Sequence, residues 1–300
     1  MKILLTGANG FLGKYINDYF LDKEVKVVKI GKSNRNDIVS DLSIDIPNLQ
    51  NDQFNIVVHL AGKAHFIPRN KIQEKVFYDV NVIGTRNLLT SIDKLTVKPK
   101  AFVFISTVAV YGLSKGFNID ETTLLNATDA YGHSKILAEN MVEDWCKENE
   151  VVCTILRLPL VIGTNPLGNL KSMINGIKKG YYVNIGGGIA RKSMVMAKDI
   201  AEYIYTVHSI GGIYNITDGY HPSFFDLSEV IATKTKSKKP KNIPLEIAFI
   251  LARIGNFFGN NSPFNTVKFL KITSDLTFDD SKARSVGWKS TSVLEDFNIL

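Results

Sequence analysis

Short apolar segments alternate with longer amphipathic stretches through the first half of the chain. The apolar segments are rich in Val, Ile, Leu and Phe without polar alternation, as expected of strands that are covered on both faces. Strands are predicted at Lys2–Thr6, Val25–Ile30, Asn55–Leu60, Lys100–Ser106 and Val151–Leu158, with helices between them at Gly10–Phe20, about Gln73–Ile92 and Tyr131–Glu148. Repeated strand and helix units imply right-handed crossovers, so the predicted fold class is α/β with a doubly wound parallel sheet.

The pattern changes after Gly163, where loops become longer and helices are separated by irregular stretches. Further helices are predicted at about Gly168–Lys179, Lys198–His208, Ser223–Lys236 and Leu245–Phe258, and one further strand at Gly212–Ile216. We therefore predict a first domain over residues 1–163, to which 198–216 returns, and a smaller C-terminal α/β lobe over 164–197 and 217–300.

The formal net charge of +7 suits an anionic ligand as well as an ordinary soluble surface. Basic residues are dense only over Lys234–Lys241, so no nucleic-acid partner is predicted. No apolar run is long enough to span a membrane. The most apolar segment, Ile243–Phe258, contains Pro244, Glu246 and Arg253 and is therefore interpreted as an amphipathic helix.

The two cysteines, Cys146 and Cys153, show no metal-ligand spacing and are interpreted as reduced thiols. No metal site is predicted. The chain enters its first strand at once, which leaves no room for a signal peptide. Reduced thiols and the lack of a signal peptide predict a cytoplasmic location.

A glycine-rich turn, Thr6–Gly13, follows the first strand and opens a helix. Gly7 allows a sharp turn, Gly10 lets the backbone approach a pyrophosphate, and Gly13 lets the helix lie close to the sheet. The amides at the helix N-terminus then face the phosphates. This arrangement is typical of a Rossmann-type site for NAD or NADP, which makes residues 1–163 the dinucleotide-binding domain.

The end of the second strand lacks the carboxylate that usually holds the ribose of NAD. Instead, Lys32, Ser33 and Arg35 lie there and could face a 2′-phosphate. The sequence therefore favours NADP, with NAD as the alternative.

Tyr131 and Lys135 are four residues apart and share one face of a predicted helix. A nearby ammonium and the cationic nicotinamide would lower the pKa of the phenol, so that Tyr131 could take a proton from a substrate hydroxyl as hydride leaves. Thr107, at the end of the fourth strand, could donate a hydrogen bond to the reacting oxygen.

The motifs together resemble those of the extended short-chain dehydrogenases, which are nucleotide-sugar epimerases, dehydratases and ketoreductases. Besides the glycine turn and Tyr131/Lys135, the resemblance includes Asp41-Leu42, His59–Gly62, Asn81–Thr85 and the segment around Thr107, in the family's order and spacing. It implies that Thr107, Tyr131 and Lys135 are catalytic. The implied cofactor contacts are Gly7, Asn9, Gly10, Phe11, Leu12, Gly13, Lys32, Ser33, Asp41, Leu42, Leu60, Ala61, Gly62, Asn81, Ser106, Tyr131, Lys135 and Pro159.

The second half is similar to the part of the family that binds the nucleotide sugar. Candidate substrate contacts are His65, Thr107, Val108, Asn169, Arg191 and Lys192. Asn169 lies where a helix begins, a suitable place for a diphosphate, and either Arg191 or Lys192 would bind that diphosphate. The pattern most resembles bacterial enzymes that reduce or oxidise C4 of UDP-N-acetyl-6-deoxyhexosamines, and this predicts a UDP-sugar 4-ketoreductase or dehydrogenase of polysaccharide sugar biosynthesis.

Other functions of the same fold are also possible from the sequence. In the dehydratases of the family, Asp and Glu follow the motif hydroxyl, whereas Val108 and Ala109 lie there in this chain and cannot transfer protons. A 4-epimerase stays open because it uses the same Tyr, Lys and hydroxyl. Less favoured are a non-catalytic nucleotide sensor and a dehydrogenase of lipids or small alcohols. A lipid pocket could be lined by phenylalanines whose spacing is more typical of core: Phe224, Phe225, Phe249, Phe257 and Phe258.

Family analogy further implies a homodimer, formed through the helices near Gln73–Ile92 and Tyr131–Glu148.

Overall fold

The structure is a computed structural model that describes residues 1–49, 52–64, 66, 68–164, 166, 168–258, 262 and 264–297. The strands in chain order are β1 Lys2–Thr6, β2 Lys26–Gly31, β3 Ile38–Val39, β4 Ile56–His59, β5 Ala101–Thr107, β6 Gly116–Ile119, β7 Val152–Leu158, β8 Leu160–Ile162, β9 Val183–Ile185, β10 Met194–Met196, β11 Gly212–Asn215, β12 Lys241–Ile243 and β13 Leu276–Phe278. The α-helices are α1 Phe11–Asp22, α2 Lys71–Tyr78, α3 Gly84–Asp93, α4 Ala130–Glu148, α5 Gly168–Lys178, α6 Ala197–Val207, α7 Phe224–Lys234, α8 Leu245–Asn256, α9 Thr266–Thr273, α10 Ser281–Ser285 and α11 Val293–Asp296.

The central sheet has seven parallel strands in the order β11-β7-β5-β4-β1-β2-β3. The predicted fold class is confirmed. Chain direction across the sheet reverses between β1 and β4, and the carboxyl ends of these strands therefore border a crevice of the kind that binds nucleotides in such folds. β11 pairs with β7 at the edge of the sheet, and α6, which precedes it, packs on α1.

Two apolar cores cover the two faces of this sheet. On one face, Ile3, Leu5 and Val58 pack against α1 and α6. On the other, Leu4, Val57 and Phe102 pack against α3 and α4. Alternate residues of each strand thus enter opposite cores, which explains why the strands read as continuous apolar runs.

A third core lies in the C-terminal part and joins α5, α7 and α11 to the short strands β8 and β10. Among the described residues these two strands form a small sheet of their own, as do β9 with β12 and β6 with β13, and Leu276 of β13 also forms a bridge with Lys192. None of these short strands was predicted, because segments of three or four residues carry too little periodicity to be detected.

The predicted helix near Gln73–Ile92 is interrupted by one π-helical turn, Asp79–Ile83, between α2 and α3. The side chain of Thr85 donates a hydrogen bond to the carbonyl of Asn81 inside this turn, at 2.6 Å. Such turns insert one extra residue into a helix and re-aim the neighbouring side chains. Here the side chain that the turn re-aims is that of Asn81.

The core assignment of the phenylalanines is wrong for four of the five. Phe225, Phe249, Phe257 and Phe258 are exposed, and Phe224 alone packs against a buried core. The helical spacing was correctly recognised, but α8 turns its small residues inward instead. Among the described residues, no helix has the length and apolarity needed to cross a membrane.

A chain of hydrogen bonds fixes a neutral tautomer of the buried His59 at the end of β4. Since the Thr85 hydroxyl donates its proton to the Asn81 carbonyl, the Thr85 oxygen must accept a hydrogen bond from Nε2 of His59, 3.0 Å away. Nδ1 then accepts from Thr6 at 2.6 Å, and the Thr6 oxygen accepts from the Ala61 amide at 3.0 Å. Burial lowers the pKa of His59 to about 3, and the charge of Lys135 adds to this effect.

We predict that His59 makes the protein labile in acid. The folded pKa of about 3 lies below the unfolded value of 6.5, so only the unfolded chain binds the proton between these pH values. Stability from this group is complete above pH 6.5 and is lost as the pH falls. Between pH 7.5 and 4.5 the loss amounts to about 3 kcal/mol.

Urea denaturation of the wild type and of His59→Gln at these two pH values measures this effect. The variant should show a smaller loss of unfolding free energy between them, whereas His133→Gln, at an exposed position, should behave like the wild type. Equal losses in all three proteins would contradict the assignment.

Candidate active site

The glycine turn lies directly against the end of β4. Gly7 has a φ of +72°, and a Cβ at this position would lie 2.9 Å from the Ala61 amide nitrogen. A Cβ on Gly13 would lie 2.1 Å from the Gly7 carbonyl oxygen. Both positions therefore require glycine, one for its backbone conformation and for space, the other for close approach of α1 to the turn.

The N-terminus of α1 is suited to bind a pyrophosphate. Its N-cap is Gly10, which has no side chain to bond the first amides, and its first turn contains no acidic residue. These amides, together with the helix dipole, attract a negatively charged group. The predicted residues from Gly7 to Gly13 thus form a cradle that fits the diphosphate of a dinucleotide.

The loop after β2 holds the residues that were predicted to select the cofactor. Lys32 forms an ion pair of 2.8 Å with Asp41, and Ser33 accepts a hydrogen bond from the Arg35 amide. Burial alone would raise the pKa of Asp41, but hydrogen bonds from Lys32 and Ser43 outweigh it and hold the pKa below its usual value. Lys32 and Asp41 were both predicted cofactor contacts, and the structure pairs them with each other.

Asn81 connects this side of the site to α4. Its Oδ1 accepts a hydrogen bond from the Lys63 amide at 2.7 Å, and its Nδ2 donates to Oγ of Ser134 at 2.8 Å. Ser134 in turn donates to the Tyr131 carbonyl at 2.8 Å. Gly62 lies against the same carboxamide, where its Cβ would come within 3.2 Å of Oδ1. Asn81 therefore aligns the loop after β4 with the first turn of α4.

Tyr131 and Thr107 are brought together by the ends of β5 and α4. The oxygen of Thr107 accepts a hydrogen bond from the Ala109 amide at 3.2 Å, which leaves its proton free for the phenol of Tyr131. Burial raises the pKa of Tyr131, the hydrogen bond from Thr107 lowers it, and the charge of Asp129 raises it. The net shift is upward. Lys135 is not among the causes of this shift, so the lowering expected from its ammonium together with a bound nicotinamide stays a prediction.

Lys135 is buried and reaches the end of β5. Its Nζ donates to the Ile105 carbonyl at 2.7 Å and lies 3.8 Å from the centre of the Phe104 ring. Burial lowers its pKa to about 7, and the charge of Glu139 opposes that shift. Lys135 thus changes its charge near neutral pH, a range in which small changes in its surroundings alter its protonation.

A buried ion pair behind Lys135 was not predicted. Glu139 pairs with Arg157 at 2.7 Å and accepts a hydrogen bond from Ser106, a predicted cofactor contact. Arg157 also donates to the hydroxyl of Tyr111 at 3.1 Å. The spacing of four residues between Lys135 and Glu139 was a usable signal, but the pairing with Arg157 depends on contact between α4 and β7, which sequence spacing does not reveal.

The candidate substrate contacts lie on several elements. Val108 follows Thr107 in a short 3₁₀ turn, and Asn169 is exposed in the first turn of α5. Arg191 is exposed and donates to the His221 carbonyl at 3.2 Å, whereas Lys192 donates to the Ser274 carbonyl at 2.8 Å. Burial lowers the pKa of Lys192 to about 8. His65 lies outside the described residues.

The remaining cofactor candidates line the same edge of the sheet. Leu60 and Ala61 follow β4 and pack partly against the two sheet cores, and Leu42 is buried near α3. Pro159 lies between β7 and β8, partly exposed. The structure thus groups most predicted cofactor contacts around the ends of β1, β2, β4, β5 and β7.

A sequence profile of the NAD dependent epimerase/dehydratase family matches residues 3–217 of the 300. The chain belongs to this family. The resemblance seen in the sequence is confirmed, and the protein is an NAD(P)-dependent enzyme. The dinucleotide fits the structure, because the N-terminus of α1 has a glycine N-cap and no acidic residue in its first turn, so its amides are available to a diphosphate.

Proteins whose names state an epimerase or dehydrogenase activity resemble the chain over much of its length. The N-acetyl-alpha-D-glucosaminyl-diphospho-ditrans,octacis-undecaprenol 4-epimerase of Escherichia coli O157:H7 is 28% identical, covering 96% of this chain and 90% of that protein. The GDP-6-deoxy-D-talose 4-dehydrogenase of Aggregatibacter actinomycetemcomitans is 28% identical over 70% of each chain. The UDP-glucose 4-epimerase of Thermotoga maritima, solved with UDP-glucose, has the same fold, with a TM-score of 0.75, 21% identity and coverage of 99% and 96%.

We predict that Glu139→Gln strongly destabilises this family member. The substitution keeps the size of the side chain but leaves the buried Arg157 without a counter-charge, which costs about 3 kcal/mol of unfolding free energy. Urea denaturation measures the loss. Glu229→Gln, which breaks a pair with the exposed Lys239, is the matched control and should cost less than about 1 kcal/mol. Similar losses for both variants would show that the Arg157 pair is not important for folding.

Proposed function

We propose that the protein catalyses reversible oxidation and reduction at C4 of a UDP-sugar, acting as a 4-ketoreductase or 4-dehydrogenase in polysaccharide sugar biosynthesis. The observation that carries this proposal is the half-buried Thr107–Tyr131 pair, which lies on the same sheet edge as the glycine cradle. A hydroxyl that exchanges its proton with a phenol, next to a dinucleotide, is the arrangement needed for carbonyl reduction.

Tyr131 is the proton donor in the direction of reduction. Its raised pKa keeps the phenol protonated at neutral pH, and the proton passes to the C4 oxygen as the carbonyl becomes an alcohol. Thr107 donates its hydrogen bond to the same oxygen and positions it. A dinucleotide bound in the glycine cradle would provide the hydride chemistry. In oxidation, charged Lys135 favours the phenolate, because an opposite charge nearby stabilises it.

The substrate's diphosphate is assigned to the C-terminal part of the chain. Arg191 is exposed, and besides its bond to the His221 carbonyl its guanidinium has further donors that can bond two phosphate oxygens at once. The Lys192 amine is half-buried and bonded to the Ser274 carbonyl. We therefore assign the diphosphate to Arg191 and to the first turn of α5 at Asn169. The names of the two relatives both describe chemistry at C4 of a sugar linked through a diphosphate, to undecaprenol in one and to guanosine in the other. They support C4 chemistry on a diphosphate-linked sugar.

Val108 and Ala109 argue against dehydration. They occupy the two positions after Thr107, and neither side chain can transfer a proton. A 4-epimerase is the second candidate, since the relative with 96% coverage of this chain carries that name. An epimerase returns the hydride to the same sugar and keeps its cofactor. Tightly held dinucleotide, with turnover in its purified form, would favour the epimerase over the reductase.

We predict that a UDP-4-keto-6-deoxyhexosamine is reduced with consumption of NADPH, measured by the fall in absorbance of the reduced nicotinamide. Tyr131→Phe should lower kcat by about 10²- to 10⁴-fold because the proton donor is removed. Tyr181→Phe, at an exposed position, is the matched control and should keep full activity. Full activity of Tyr131→Phe would reject the proposed chemistry.

The cofactor preference gives a separate prediction. We propose NADP over NAD because Lys32 and Ser33 lie after β2, although Asp41 neutralises part of the charge of Lys32. Lys32→Ala should raise the KM for NADPH by about fivefold, corresponding to one partly exposed charge pair, and leave the KM for NADH unchanged. Lys115→Ala is the control. An equal effect on both cofactors, or a lower KM for NADH in the wild type, would point to NAD.

A further inference from the structure

Helix α8 turns its large apolar side chains outward. Its buried side consists of Ala248, Ala252 and Gly255, which pack against α9 and the segment before it. The exposed side chains of α8 and of the turn after it are Leu245, Ile247, Phe249, Ile250, Leu251, Ile254, Phe257 and Phe258. A surface helix of a globular protein normally buries such residues and exposes polar ones. The inverted arrangement therefore needs a partner outside the chain.

Helix α9 extends the same apolar surface. Phe269 is buried against α8, whereas Val267 and Leu270 are exposed. We name the α8–α9 surface for the exposed apolar residues Ile247, Ile250, Leu251, Ile254, Phe257, Phe258, Val267 and Leu270. The two phenylalanines project furthest, with 90% and 73% of their area exposed. Contiguous apolar areas of this kind mark interaction sites.

The segment that contains α8 and α9 is strongly basic. Residues 236–273 carry one carboxylate, Glu246, against seven basic residues: Lys236, Lys238, Lys239, Lys241, Arg253, Lys268 and Lys271. Of these, Lys239 is paired with Glu229 from α7. This segment includes part of the only dense basic stretch in the sequence, for which the redox chemistry has no use. The partner should therefore combine negative charge with an apolar interior.

We propose that the α8–α9 surface binds the protein to the face of an anionic lipid bilayer. Exposed Phe, Ile and Leu side chains would enter the boundary between headgroups and acyl chains, and the lysines would contact lipid phosphates. With 12 residues, α8 is about 18 Å long and lies in the interface instead of crossing the bilayer.

A second copy of the chain fits this surface less well. A two-fold contact brings the same patch of each copy together, so the basic residues of the two copies would face each other. The dimer contact expected from the sequence also lies elsewhere, on α2, α3 and α4. A bilayer meets both requirements of the surface, because it offers anionic groups above an apolar layer.

Sedimentation of the full-length protein with lipid vesicles tests the proposal. We expect binding to vesicles of one part phosphatidylglycerol to two parts phosphatidylcholine, weaker binding at high salt, and little binding to phosphatidylcholine alone. The double variant Phe257→Ser/Phe258→Ser should lower the affinity about tenfold or more, and Lys238→Ala/Lys241→Ala about fivefold for each lysine removed. Phe117→Ser, at an exposed phenylalanine of β6, is the matched control and should bind as the wild type does.

Two results would overturn the proposal. One is equal vesicle binding by the wild type and by the Phe257/Phe258 variant. The other is failure of the wild type to bind anionic vesicles. In that second case, light scattering after gel filtration identifies the occupant: a smaller oligomer for this variant than for the wild type would assign the surface to a second copy, and an unchanged oligomeric state would leave an acidic protein as the partner. Activity on a soluble sugar substrate should stay unchanged in the variant, which separates this test from that of the catalytic proposal.

Discussion

The alignment of the candidate active site depends on the carboxamide of Asn81. Its oxygen holds the Lys63 amide in the loop after β4, and its nitrogen holds Ser134 in the first turn of α4. Its own backbone carbonyl accepts a hydrogen bond from the Thr85 hydroxyl. From Thr85 the series of hydrogen bonds continues through neutral His59 to Thr6 and the Ala61 amide. One connected set of hydrogen bonds thus joins the dinucleotide side of the sheet to the helix that carries Tyr131. Because the members are buried, the loss of any one leaves another without a partner, at a cost of about 1–3 kcal/mol.

The electrostatics of the site follow from this rigid, buried arrangement. Burial keeps the proton on Tyr131 and removes part of the proton affinity of Lys135, whose pKa falls to about 7. Two groups that start near pKa 10 are therefore shifted in opposite directions. The protonated phenol is ready to donate, which suits reduction, while oxidation depends on a positive charge that arrives beside the phenol. Glu139, held by Arg157, supplies the negative charge that limits the shift of Lys135.

The sequence alone predicted much of the sheet and of the catalytic residues, for identifiable reasons. Strands buried on both faces give continuous apolar runs, and the glycine turn and Tyr131/Lys135 have fixed spacings, so β1, β5, α1 and α4 were predicted within about two residues. The π-helical turn at Asn81 was not predicted, because helical periodicity does not distinguish one such turn from regular helix. The pairing of Lys32 with Asp41 and the Glu139–Arg157 pair were not predicted, because each joins segments that only the fold brings together. The helical spacing of Phe249, Phe257 and Phe258 was recognised, but their outward orientation was not, since spacing defines a face without saying what covers it.

The central claim is that Tyr131 is protonated in the buried site and becomes acidic only when positive charge arrives beside it. Absorbance titration of tyrosinate at alkaline pH, taken as the difference between the wild type and Tyr131→Phe, measures this pKa directly. The account predicts a pKa above the usual value of 10 for the protein alone and a clear decrease when the oxidised dinucleotide is added. A pKa below 10 in the protein alone, or no change when the dinucleotide binds, would contradict it.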